Sequence, residues 1–86
     1  MNNYIAIFIP TQYNFLGEYE LELEGTLWFD SENDLRAYVR CLVETTGIEN
    51  GWSFETIEDN IRYLIQGYEV GCLGRVCYPT FHKTNS

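Results

Sequence analysis

The chain opens on Tyr4-Ile5-Ala6-Ile7-Phe8-Ile9, an unbroken β-branched and aromatic run stopped by Pro10. Such a run predicts a strand over 4–9, buried on both faces. Thr11 to Gly17 contains Asn14 and Gly17 and predicts a hairpin loop, made unusually apolar by Tyr13, Phe15 and Leu16. From Glu18 to Phe29 the pattern alternates, with Glu18, Glu20, Glu22 and Glu24 on one parity and Tyr19, Leu21 and Leu23 on the other. Successive strand side chains point to opposite faces, so a second, amphipathic strand is expected. Its leucines and Tyr19 turn inward and its glutamates outward, joined by Thr26 and Trp28 if no bulge intervenes.

At Asp30 and Ser31 the period changes. Ser31-Glu32-Asn33-Asp34 resembles a helix capping box with Asp in the last position. Leu35, Tyr38, Val39, Leu42 and Val43 then form one helical stripe, and Gly47 supplies the expected stop. Glu32–Arg36 and Arg40–Glu44 are spaced for i,i+4 ion pairs. Ser53 can cap a second helix with the stripe Phe54, Ile57, Ile61, Leu64 and Ile65, ending at Gly67. Residues 68–78 return to strand composition, weakened by Gly71 and Gly74, and the polar tail 79–86 is expected to fray.

The order ββααβ predicts an α+β fold: a three-stranded, mainly antiparallel sheet with two helices packed on one face. At 86 residues the chain is one small domain, 1–86. With 45% hydrophobic residues it has the composition of a folded protein. The N-terminus has no basic region, and Pro10 ends the apolar run too early for a signal peptide or a spanning helix. Three cysteines without an export signal point to free thiols in a reducing cytoplasm, with Cys41 in the core. Cys72 and Cys77, five apart in a strand, fall on opposite faces and are not expected to pair.

Charge sharpens the picture. Thirteen acidic residues against five basic give a net charge of −8, and twelve of the acids lie between Glu18 and Asp59. Direct binding to nucleic acid or an anionic membrane is therefore disfavoured, and a charged partner should be basic. Alternate residues of an extended chain stand about 6.8 Å apart, so four glutamates on one strand face make a row of negative charge at near-phosphate spacing. Glu is an ordinary choice for a solvated face, but it is depleted in strands, and the only candidate cation on the neighbouring strands is Arg75.

The segments Tyr4-Ile5-Ala6, Tyr13-Asn14, Gly17, Gly25-Thr26-Leu27-Trp28-Phe29 and the acidic capped helix from Asp30 to Leu35 resemble the opening of the ArdA antirestriction proteins. The resemblance spans roughly residues 4–59. It implies a mimic of double-stranded DNA that fills the basic DNA-binding groove of a restriction enzyme, with carboxylates in place of phosphates. Asp30, Glu32 and Asp34 are the acids inside the matching motifs. Glu18, Glu20, Glu22 and Glu24 join them on charge geometry alone, in a stretch where the family has a shorter connection. The family's further domains find no room here, but a single small domain can block a short DNA-binding site, so a CRISPR-Cas effector is also an open target.

Other chemistry is weaker. Cys72, Cys77 and His82, with or without Cys41, match no common zinc spacing, and His82 is the lone histidine. No glycine-rich phosphate loop or nucleophile–base pair stands out, so neither an enzyme nor a cofactor is expected. A second binding reading uses aromatics expected to be exposed, Tyr13, Phe15, Trp28 and Trp52, as the anchors of a protein-interaction or adaptor domain. A homodimer through the open sheet face or the edge of the first strand is a further expectation.

Overall fold

The structure, a computed structural model, describes residues 4–79. Its elements are β1 (Ala6–Tyr13), β2 (Tyr19–Leu21), a 3₁₀ turn (Leu23–Gly25), β3 (Leu27–Phe29), α1 (Glu32–Asn50), α2 (Phe54–Gln66) and β4 (Gly74–Cys77). All strand pairings are antiparallel and all are made to β1, with β4 on one edge and β3 followed by β2 along the other. The α+β class and the helices on one face agree with the sequence pattern. Ala6 and Phe8 of β1 and Val76 of β4 meet Leu35, Val39 and Val43 of α1 and Ile57, Ile61 and Leu64 of α2 in one buried cluster.

The helices form where the stripes predict. Ser31 Oγ accepts from Asp34 N, and Ser53 Oγ accepts from Thr56 N, so both N-termini are side-chain capped. The second helix ends at Gly67 in a left-handed conformation, as expected. The first does not stop at Gly47: it runs one turn further, to Asn50, and Gly51 takes the left-handed cap. Gly47 is instead buried against α2, where a Cβ would lie 2.5 Å from Ile57 Cγ1. Phe54 leaves the expected stripe and is exposed, whereas Trp52, expected outside, packs partly buried against the core. Cys41 is exposed rather than buried, and Cys41, Cys72 and Cys77 are all free thiols.

The sheet departs most from expectation. The first strand continues through Pro10 to Tyr13 rather than ending at Ile9. Pro10 directs its carbonyl toward the returning chain, where it accepts from Glu22 N. In an antiparallel strand a residue's N and C=O share one edge, so the missing Pro10 donor faces the break between β2 and β3, where no ladder bond is required. Across that break the three steps of β1 from Thr11 to Phe8 are matched by six steps of the returning strand, from Leu21 to Leu27. The excess is three residues, the length of the 3₁₀ turn. The last segment is also broken: Val70 bridges Gly74 around a turn at 71–73, leaving β4 four residues long. Tyr78 follows, and its hydroxyl donates to the Ile65 carbonyl. The expected fraying of the tail concerns residues almost wholly outside those described.

Candidate partner-binding site

An odd insertion in a strand exchanges its two faces. Before the 3₁₀ turn, Gln12 pairs with Glu20, and Tyr13 with Tyr19; after it, Ile7 pairs with Trp28, and Phe8 with Leu27. Even-numbered residues of the returning chain therefore share the parity of Phe8 in β2 and the parity of Ile7 in β3. Trp28 does face away from the helices, as expected, 62% exposed and edge-on to Tyr4. The glutamates do not accompany it there.

Nor do the four glutamates form a ridge on one strand. Glu18 belongs to the turn, its amide donating to Asn14 Oδ1; Glu20 lies on β2; Glu22 follows the strand and accepts from Gln12 Nε2; Glu24 sits inside the 3₁₀ turn. Tyr19, Leu21 and Leu23, expected to face the helices, contribute nothing to the core. Tyr19 stacks on Tyr13 instead, ring centroids 4.5 Å apart and nearly parallel. Their symmetry about the turn was a sequence signal for this pair: each lies three residues from Leu16.

Residues 11–23 thus form a hairpin arm extending from the packed body. Its turn is fixed by Leu16 N and Glu18 N donating to Asn14 Oδ1, Gly17 N donating to the Asn14 carbonyl, and Asn14 N donating to the Glu18 carbonyl. Phe15 at the tip is 95% exposed, and Leu16 beside it is exposed as well.

The remaining acids lie elsewhere. Asp30 follows Phe29, which pairs with Ala6, six residues along β1 from the Gln12 that pairs with Glu20. At the strand rise that is about 20 Å, so Asp30, Glu32 and Asp34 sit at the opposite end of the sheet from Glu20. Glu32 is paired with Arg36, Asp59 with Arg62, and Glu44 and Glu58 both with Arg40. Hydrogen bonding to Arg40 holds the Glu58 carboxyl below the usual carboxylate range, and the same contacts with Glu58 and Glu44 push Arg40 further toward its charged form. The three helix arginines are thus matched by helix acids. Among the described residues no ion pair involves any hairpin glutamate.

No group of three His, Cys, Asp or Glu among the described residues is placed to hold a metal ion, and His82 lies outside them. No described helix is long and apolar enough to cross a membrane. Two open surface concavities lie among the described residues: one is lined by Tyr63, Gln66, Tyr68 and Glu69, and another lies between the helices along Arg36, Glu58 and Arg62. No family model matches the chain, and no curated protein or solved structure matches it.

Proposed function

We propose that the chain is a small inhibitory binding protein that occupies the basic, DNA-handling groove of a defence protein, a restriction enzyme or a CRISPR-Cas effector, in the cytoplasm of a bacterial host. The observation that carries this reading is charge segregation. The first 35 residues hold seven acids and no Lys or Arg, while the helix arginines are taken up by helix acids. Glu18, Glu20, Glu22 and Glu24 therefore offer carboxylates to cations on a partner. Charge-assisted hydrogen bonds to Lys or Arg supply the contacts, and the net charge of −8 steers encounter with a positive groove. The nature of the target rests on the resemblance of residues 4–59 to the ArdA proteins. Asp30 and Asp34 form a second acidic pole about 20 Å away, reachable only by a groove long enough to span both. Binding, not catalysis, is the activity.

The test is phage plating on bacteria carrying a type I restriction or CRISPR-Cas system, with the wild type or a Glu18→Gln, Glu20→Gln, Glu22→Gln, Glu24→Gln variant expressed. Rescue by wild type alone is expected. Equal rescue by the variant removes the hairpin carboxylates from the mechanism, and no rescue in any system removes the target class.

A second reading, an adaptor without mimicry, is favoured by the exposed Tyr13–Tyr19 stack and Trp28. It predicts that alanine at Tyr13 or Trp28 weakens binding more than glutamine at the four glutamates.

A further inference from the structure

The hairpin arm carries more than charge. Its glutamates alternate with exposed apolar side chains: Tyr13 and Tyr19 stacked on one face, Phe15 and Leu16 at the tip, Leu23 at the base. Among the described residues nothing covers this apolar surface. A phosphate-binding groove alone would leave it solvated even in the complex.

Three features identify what covers it. The turn is locked by four hydrogen bonds centred on Asn14 and Glu18, so Phe15 is presented by a preformed loop and loses little freedom on binding. The arm has three carboxylates, with Glu24 just beyond its base, and no cation, so a partner must bring positive charge next to its apolar surface. A second copy of this arm cannot do so, since it repeats the same negative charges. A DNA or RNA partner is excluded by the same sign.

From these we infer that the arm docks tip first into an apolar cleft of a partner protein whose rim carries Lys or Arg. Phe15 and Leu16 fill the cleft, the Tyr13–Tyr19 stack covers one wall, and Glu18, Glu20 and Glu22 reach the rim. This deepens the proposed function and rests on it: the basic groove has an apolar floor where the arm enters. Aromatic anchors in desolvated pockets dominate interface energetics, with surrounding charges setting specificity and association rate.

The probes are two synthetic peptides with equal numbers of lysines, an oligolysine and an alternating Lys-Leu peptide, titrated into the isotope-labelled full chain and followed by amide NMR shifts. The Lys-Leu peptide is expected to bind about tenfold more tightly, a difference of roughly 1.4 kcal/mol, with shifts concentrated between Tyr13 and Leu23. A Phe15→Ala/Leu16→Ala variant, altered only at exposed positions, should bring the two peptides to within about twofold while keeping oligolysine binding, about 0.4 kcal/mol apart. The four-glutamine variant should weaken both. Equal affinities for the two peptides overturn the apolar cleft and leave the acidic reading standing. Failure of both to bind overturns the two together. Phe15-dependent sedimentation with phosphatidylcholine vesicles overturns the protein cleft in favour of a lipid surface.

Discussion

Arg40 on α1 and Glu58 on α2 face each other across the helix pair, the guanidinium donating to both carboxylate oxygens at 2.9 and 3.2 Å. The spacing of Arg40 and Glu44 within one helix was legible in the sequence, but this contact joins residues 18 apart and depends on how the helices cross. Because the folded-state pKa of Glu58 lies below its ordinary value of 4.5, its contribution to stability is present above that value. It is lost as pH falls through the lower, folded-state pKa. A carbon-detected NMR titration should place Glu58 below 4.5 in the wild type and return it toward 4.5 in Arg40→Met. An unmoved value in the variant removes Arg40 as the cause.

Gly47 is buried where α1 packs against Ile57 of α2. An added Cβ would lie 2.5 Å from Ile57 Cγ1 and 3.2 Å from Trp52 Cε3. Alanine is ordinarily the better helix residue, yet here Gly47→Ala should destabilise the fold by about 1–3 kcal/mol, the usual cost of overpacking. Urea unfolding measures it, and a stabilised variant would mean that the helices can separate at no cost.

Gly74 begins β4 at φ 143°, with an added Cβ overlapping the Ile9 carbonyl and lying 2.7 Å from Phe8 Cζ. Strain and overlap act together at this position. Gly74→Ala should therefore cost more than Gly47→Ala, roughly 2–5 kcal/mol, and broaden the amide signals of Phe8 to Pro10. A milder effect than at Gly47 would show that β4 shifts register freely.

The four hairpin glutamates have no ionic role within the described structure. Their joint replacement by glutamine should leave the unfolding midpoint nearly unchanged, within about 0.5 kcal/mol in all. Glutamine at 22 retains an acceptor for Gln12. A collapse of stability would mean that the carboxylates serve the fold and would void their use as binding probes.

Trp28 and Trp52 should be separable by fluorescence. Trp28 is exposed on the open sheet face, whereas Trp52 packs against the core. Trp28→Phe should lower the acrylamide quenching slope and shift the remaining emission to the blue. An unchanged slope would place Trp52 in solvent.

Much of the fold was legible because helices declare themselves locally. Ser31 and Ser53 cap, Leu35-Val39-Val43 and Ile57-Ile61-Leu64 are buried, and each reading needs only neighbouring residues. Gly47 misled because a glycine that permits close packing and one that ends a helix look alike in sequence. The hairpin misled for a deeper reason. Alternation fixes which residues share a face but not which face is inside, and the Glu-Leu pattern continues unbroken into the 3₁₀ turn at Leu23–Gly25. Pro10 looked like a terminator because its missing donor is harmless only when the partner strand breaks beside it, a fact of pairing rather than of composition. The candidate acids could be picked out one by one, but their separation into two poles required the register.

The three-residue excess between β2 and β3 also isolates the arm from the body mechanically. Residues from Gln12 to Leu23 contribute no side chain to the core, so this segment can change without forcing compensating changes in the helices. The body behaves as a mount and the hairpin as an exchangeable cartridge. Grafting a different arm of equal length, closed by the same Asn14-centred turn, should redirect binding to another target while the mount folds as before.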